Sequence, residues 1–321
     1  MDPALAGGTA GLAVVAFVML IVAVSVLAGG IVILVMSPVL RKIIKKSLLV
    51  TNANLMLGVG LLIFMSVLAI IGAPLQAKMQ AAAQAAAPGA APALPSIPVL
   101  LLWVLWILVV ILAGIFINGG LLGFMKGAVA KSGAEEINKF LESGKKYYLK
   151  ILGLGLVVIA YLILVVVAAA LITGITGWAL KFIPILMNIV LALEIIAAAA
   201  ILVVGLFLVS FSPYAIVVLE EGIIDGIKKS IEFVKANALK IIGLFVIFAA
   251  IRIVANLATL LVMLLLSALP KAISIITDTL AGLINGGVSI YIALLITAAM
   301  MDLYLSSKKE SAPVNKEVKP A

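Results

Sequence analysis

The chain has 321 residues, of which 66% are hydrophobic and only 11% are charged, and its formal net charge is +9. A soluble protein of this length has too little interior to bury so much apolar surface, so the composition indicates an integral membrane protein. The chain contains neither Cys nor His. It therefore has no disulfides, no haem or zinc sites that use these ligands, and no His-activated nucleophile.

Long apolar runs recur along the chain, and each is long enough to cross the hydrocarbon core of a bilayer. They lie at residues 11–36, 52–73, 97–122, 151–176, 185–211, 241–269 and 281–305. Only a helix satisfies its own backbone hydrogen bonds in a single lipid-embedded segment of this length. The sequence therefore predicts an all-α, polytopic membrane helical bundle with seven transmembrane helices. Residues 1–36 would hold an additional N-terminal transmembrane helix that is retained, because no basic segment precedes it.

Basic residues alternate from one side of the predicted spans to the other. Most of the 22 Lys and Arg residues follow helices one, three, five and seven, whereas the opposite side has only Lys78, Lys181 and Lys271. Because basic loops stay cytoplasmic, this asymmetry predicts a multi-pass protein of the cell membrane with its N-terminus outside and its C-terminus inside. The positive charge would face the anionic headgroups of the inner leaflet.

Two segments between or after the spans have a different composition. Residues 74–98 form a predicted outer loop rich in Ala and Pro, whose first half has the composition of a short helix. Residues 306–321 have almost no apolar content, which predicts a disordered cytoplasmic tail.

A charged amphipathic segment precedes some of the apolar runs. From Leu219 to Lys240, apolar residues recur at steps of three and four, and charged residues occupy the other face. This pattern predicts a helix on the cytoplasmic surface that rests on lipid or on neighbouring helices, and then turns into the membrane at about Lys240.

The same arrangement occurs more than once. The letters IKKS begin at Ile44 and at Ile227, and Asn54 and Asn237 follow at the same spacing. A third, less similar copy includes Lys150 and the residues after it. We therefore expect three helical-hairpin repeats within the six-helix membrane domain of residues 37–305, at about 37–125, 126–211 and 212–305. Chance matches in apolar low-complexity sequence are the alternative.

A family pattern is present in the last copy and at the end of the last span. Its residues are Pro213, Glu220, Gly222, Lys229, Ser230, Phe233, Asn237, Lys240, Gly243 and the stretch MMDLYL at 300–305. Residues 37–305 thereby resemble the membrane domain attached to glycerophosphodiester phosphodiesterases, and related stand-alone membrane proteins of bacteria and archaea. The resemblance implies a fold. Enzymatic activity is not carried over, because this chain departs from the family by its extra first helix and by lacking a phosphodiesterase domain.

Charged residues inside predicted spans are candidates for function because they are costly in lipid. Glu194 and Arg252 lie at similar depths and are predicted to pair, with Asn256 one turn beyond Arg252. Such a pair is either a structural clasp between helices, which we favour, or an ion-responsive or lipid-binding site. We expect no cofactor and no metal site.

The basic amphipathic segments are the other candidates. The expected lipid-headgroup residues are Lys45, Lys46, Lys145, Lys146, Lys228 and Lys229. Nucleic acid is excluded as a partner because the basic segments are short and lack interleaved aromatic residues.

The sequence thus favours a non-catalytic protein that organises the membrane or assembles with partner subunits or with further copies of itself through its surface helices. The alternative is a lipid or small-solute transporter that uses Glu194 and Arg252.

Overall fold

The computed structural model describes residues 3–84, 96–267 and 274–311. Within these ranges the chain is almost entirely helical and has no β-strand, which confirms the predicted all-α class. The helices are α1 (Pro3–Met36), α2 (Pro38–Ala53), α3 (Leu55–Gln84), α4 (Ile97–Lys131), α5 (Ile137–Ala179), α6 (Pro184–Val209), α7 (Ser212–Leu219), α8 (Ile223–Ser267) and α9 (Ser274–Ser311).

Six helical stretches in this part of the chain are long and apolar enough to cross a membrane. They are Leu55–Ala81, Ile97–Lys131, Ile137–Ala179, Pro184–Leu219, Ile223–Leu265 and Thr279–Lys308. A seventh candidate is the bent pair Ile21–Met36 and Pro38–Ala53. The protein is therefore a multi-pass membrane protein with six to seven candidate spans, against the seven predicted.

The segment expected to form an outer loop differs from the prediction. Helix α3 continues through Pro74 to Gln84, and α4 already begins at Ile97. The residues after Pro74 are strong helix formers such as Ala, Gln and Met, so the helix tolerates the one hydrogen bond that proline removes. Residues 85–95 of the expected loop, and residues 312–321 of the expected tail, lie outside the described ranges; residues 306–311 of that tail continue α9.

The chain divides into two compact units, each built from separate stretches of sequence. Unit 1 comprises the described residues of Met1–Leu100, Ala128–Glu135 and Asn237–Ser306. Unit 2 comprises those of Leu101–Gly127, Glu136–Ala236 and Ser307–Ala321. Helix α8 contributes to both units, and the division falls at Asn237.

In unit 1, α2 turns away from the end of α1 by 101°. Ser37 caps the new helix by accepting a hydrogen bond from the Leu40 amide, and Pro38 stands at its first position. The apolar face of α2 is buried, including Leu40, Ile43 and Val50. The apolar face of α2 therefore packs against other parts of the protein.

In unit 2, α4 and α5 pack closely through glycine. A Cβ added at Gly120 would lie 2.7 Å from the carbonyl oxygen of Phe140, and one added at Gly123 would collide with the side chain of Ser143. Helix α6, in contrast, has no buried residue. Large apolar side chains on α5 and α6, such as Ile163 and Ile195, are exposed in the protein and thus available to lipid.

The switch from amphipathic to apolar sequence coincides with a backbone break in two of the three places. Asn54 separates α2 from α3, and Asn237 interrupts α8 with non-helical torsion angles. The second break lies three residues before Lys240, where the sequence predicts the turn. Helix α5 is continuous, with Tyr147 at the corresponding position.

Candidate functional site

Three lysines of unit 2 converge on the C-terminus of α7, and we call Lys126, Lys146 and Lys150 the lysine cluster. Lys126 Nζ donates to the carbonyl of Val217 at 3.0 Å. Lys150 Nζ donates to the carbonyls of Glu220 and Glu221 at 2.9 and 3.0 Å. A helix C-terminus leaves carbonyl groups without helical partners and carries partial negative charge, so the lysines satisfy both needs of α7.

Glu220 brings the third lysine into this cluster. Its backbone has a positive φ of 60°, which ends α7 and directs the chain towards α8. Its carboxylate accepts hydrogen bonds from Lys146 Nζ at 2.8 Å and from the Tyr147 hydroxyl at 3.4 Å, and Lys126 Nζ lies 3.8 Å away. The Lys146 hydrogen bond and charge, together with the charge of Lys126, lower the pKa of Glu220 below its ordinary value.

The lysine cluster keeps an excess of positive charge and of donors. Each ammonium group has three N–H donors, and the three lysines face one well-bonded carboxylate. The Glu220 and Lys146 side chains are about half exposed, at 53% and 56%. An exposed ion pair of this kind contributes little to stability, and its groups remain accessible to a competing anion.

A large apolar cavity lies in the same unit. It has a volume of about 640 Å³ and is lined by α4, α5, α6 and the first turn of α7. Ile151, the neighbour of Lys150, lines it, and so does Pro213 at the start of α7. Asn118 and Ser210 provide its polar side chains. Helix α7 therefore begins at the cavity and ends at the lysine cluster.

The lysines predicted from sequence occupy different environments. Lys145, Lys228 and Lys229 are exposed in unit 2, and Lys45 is exposed on α2 of unit 1. Lys228 pairs with Asp225 and Lys229 with Glu232 on their own helix. Lys46 is half-buried, and Asp302 holds its ammonium group at 2.7 Å. This ion pair joins α2 to α9 within unit 1, and a role of Lys46 at a lipid headgroup stays a prediction.

Sequence reasoning included Lys146 among the site residues but missed Lys126 and Lys150. Lys146 and Lys150 are four residues apart and share one face of α5, which is a signal the sequence contains. The approach of Lys126 to α7 is not local, because 91 residues separate it from Val217.

Glu194 forms a second polar site, in the membrane-spanning part of unit 2. The hydroxyls of Thr173 and Thr176 both donate to its carboxylate, at 3.2 Å for Thr173. The two threonines are one turn apart on α5, so they face α6 together. Glu194 also lines an apolar cavity of about 300 Å³ between the two helices.

Arg252 lies in unit 1, on α8. Its Nη1 donates to the hydroxyl of Ser289 at 3.0 Å, and Asn256 on the next turn is exposed. The two charges therefore each have a hydroxyl partner within their own unit. Their mutual pairing stays a prediction. Within the described ranges, no three His, Cys, Asp or Glu residues gather as metal ligands would.

The helices define a multi-pass membrane protein, and its lysine cluster lies where α4, α5 and α7 meet. A family model described as a domain of unknown function (DUF7847) matches residues 74–305. The match covers most of the chain, which therefore belongs to this family. Neither the curated proteins nor the solved structures contain a match to the chain.

Proposed function

We propose that this protein is a non-catalytic integral membrane protein that organises the membrane by engaging anionic lipid headgroups. The observation that carries the proposal is the lysine cluster of unit 2, together with an apolar cavity whose lining includes Ile151, the residue after Lys150. Basic residues near a membrane surface each contribute about 1 kcal/mol to the attraction of anionic lipids.

The proposed location is the cell membrane, with the lysine cluster on the cytoplasmic side. The positive-inside rule supports this orientation, since Lys126, Lys146 and Lys150 belong to the basic segment between the third and fourth apolar runs. The N-terminus would then lie outside. A protease-accessible tag inserted at Ala87 should be cut from outside the cell, and protection of the tag would reverse the orientation.

Assembly with partner subunits, or with further copies of this chain, is part of the proposal. Helix α6 supports it, because no side chain of that helix is buried within the protein. Lipid alone covers such a surface equally well. Purification in mild detergent followed by mass measurement of the intact particle distinguishes a monomer from an assembly.

The test of lipid engagement compares matched lysine variants. The wild type is purified in mild detergent, incubated with equal amounts of phosphatidylglycerol and phosphatidylcholine, and its retained lipids are counted by native mass spectrometry. We expect retention of phosphatidylglycerol, with loss in the variant that carries Lys126→Gln, Lys146→Gln and Lys150→Gln. The control is Lys181→Gln, an exposed lysine of the same unit at the other end of α5. Equal retention of both lipids by all variants would refute the proposal.

A transporter of lipid or small solutes is the second candidate. It is favoured by the carboxylate of Glu194, which lies in an apolar cavity within the membrane-spanning part of unit 2. Thermal stability of Glu194→Gln, Arg252→Met and the double variant tests the pair that this candidate uses. Rescue of the singles by the double change means a structural clasp. Stable single variants that abolish solute uptake by proteoliposomes mean transport.

A further inference from the structure

We infer that the α4–α5–α6 cavity of unit 2 is a binding site for one hydrocarbon chain of an anionic phospholipid, whose phosphate is held by the lysine cluster. The inference rests on the proposed function, and it names the occupant and its position. The occupant is one lipid molecule bound at a specific site, which differs from a diffuse layer of headgroups attracted to a basic surface.

The shape of the cavity fits a chain. Its wall on α4 extends from Leu108 to Asn118 and its wall on α5 from Ile151 to Ile159. At about 1.5 Å per residue, these walls are about 15 Å and 12 Å long. The volume of about 640 Å³ lies within the range of ligand sites, and most of the lining is aliphatic. A long apolar slot between helices suits a flexible hydrocarbon chain better than a compact polar solute.

The charge at the end of the slot selects the headgroup. Lys150 directly precedes Ile151 on α5 and Lys146 lies five residues before it, and the lysine cluster adjoins α7, whose first turn forms part of the cavity wall. A phosphate diester has the charge and the acceptor oxygens that ammonium groups bind. A lipid whose hydrocarbon chain fills the cavity therefore places its phosphate near the lysine cluster. The apolar cavity matches the chain, and the lysine cluster matches the headgroup.

Glu220 pairs with two of the three lysines, so its carboxylate would compete with a lipid phosphate for them. Its carboxylate takes the Lys146 ammonium at 2.8 Å and lies 3.8 Å from Lys126. Removal of this carboxylate frees donors for phosphate, whereas removal of a lysine takes donors away. The two partners of one ion pair must therefore affect lipid binding in opposite directions.

Asn118 adds a polar group inside the slot. It lies two turns before Lys126 on α4, and its side chain is exposed at the cavity wall. An amide at that depth donates to an ester or ether oxygen of the lipid linkage. Asn118→Leu should weaken retention of the lipid without reducing the stability of the lipid-free protein.

The decisive experiment fills the slot. Gly155 lines the cavity, and a Cβ added there meets nothing within 4 Å, so Gly155→Leu adds a side chain at the cavity wall without a clash at its Cβ. Gly174, on the same helix but outside the lining, is equally open and gives the control Gly174→Leu. We expect Gly155→Leu to reduce retained phosphatidylglycerol at least about tenfold and Gly174→Leu to leave it unchanged.

A second experiment tests the headgroup part of the site by changing Glu220 and its partner Lys146. We expect Glu220→Gln to increase retention of phosphatidylglycerol and Lys146→Gln to decrease it, each by about fivefold. If both variants decrease retention, or neither changes it, the competition between Glu220 and phosphate is wrong. Thermal unfolding of each variant, monitored by circular dichroism, shows whether loss of the fold is the cause.

The outcomes separate this inference from the proposed function. Loss of lipid selectivity in the lysine variants, with full retention in Gly155→Leu, would overturn the seat in the cavity and leave headgroup engagement intact. Unchanged selectivity in the lysine variants would overturn both. An excess of inorganic phosphate should not displace the lipid, because the chain contributes to binding; complete displacement would mean that the lysine cluster is a site for soluble phosphate.

Discussion

Asn54 and Asn237 have nearly the same backbone conformation, with φ and ψ of −119° and 27° for Asn54 and of −122° and 17° for Asn237. Both side chains belong to buried residues of unit 1, exposed by only 4% and 6%. Each stands where a basic amphipathic segment turns into an apolar one, seven residues after the end of an IKKS motif. The sequence aligns these two residues as equivalent positions of a repeat, and the shared backbone geometry supports that proposal.

The first prediction concerns the joint that Asn54 forms. Its side-chain amide nitrogen donates to the backbone carbonyls of Val50 and Gly133, and its side-chain oxygen accepts from the backbone amide of Glu135 at 2.9 Å. Asn54→Ala leaves the Glu135 amide and the Gly133 carbonyl without this partner, and we expect a loss of about 1–3 kcal/mol in the free energy of unfolding. Denaturant titration in detergent micelles measures it. The control is Asn52→Ala, which removes an exposed hydrogen bond accepted from the Tyr291 hydroxyl; an equal loss in both variants would contradict a special role for Asn54.

A second prediction concerns the ion pair between Lys46 and Asp302 in unit 1. The side chains are 31% and 11% exposed, so the aspartate has little access to water to replace its partner. Lys46→Met should cost about 1–3 kcal/mol because it leaves Asp302 as an uncompensated charge, and the further change Asp302→Leu should recover most of the loss. The exposed pair of Lys229 and Glu232 is the comparison, with an expected coupling below about 0.5 kcal/mol. Additivity of the two Lys46 and Asp302 changes would refute the coupling.

A third prediction follows from the lowered pKa of Glu220. A carboxylate whose pKa is lower in the folded than in the unfolded protein stabilises the fold at pH values above its ordinary pKa of 4.5. That contribution disappears as the pH falls through the lowered folded-state pKa. The melting temperatures of the wild type and Glu220→Gln should therefore differ at neutral pH and converge in acid. The wild type should have the higher melting temperature at neutral pH, and a wild type that melts below Glu220→Gln there would mean that the pKa of Glu220 is raised instead.

The fourth prediction tests the hydroxyl partners of Glu194. Thr173→Val and Thr176→Val together remove both donors from the carboxylate while keeping the side-chain shape, and we expect a cost of about 1.5–3 kcal/mol per hydrogen bond to the charged group. Adding Glu194→Leu should restore much of the stability, because no unpartnered carboxylate then remains. Thr297→Val is the control, since its hydroxyl bonds only to the Ala293 carbonyl of its own helix. Failure of Glu194→Leu to rescue the double valine variant would show that the threonines act independently of Glu194.

The spans, the amphipathic segments and the asymmetry of basic residues could all be read from the sequence. These features depend on composition and on periodicities of a few residues, and a bilayer imposes the same length on every span. The turn near Lys240 was predicted to within three residues because a change from charged to apolar sequence marks it locally. The sequence did not predict the continuation of α3 through Pro74. Proline usually ends a helix, whereas the Ala-rich residues after it favour one.

The sites depended on contacts that join distant parts of the chain. The sequence identified Glu194 as a costly charge, but its threonine donors lie on another helix and hydroxyl residues carry no distinctive pattern. Nothing near Lys46 in the sequence distinguishes it from other lysines, because its partner Asp302 lies 256 residues away in the chain. The lysine cluster forms because α4 and α5 pack closely through small residues and present their lysines to α7. Local physics therefore specifies which segments are helical and which enter the membrane, whereas the packing of those helices decides which charges meet and where a cavity remains.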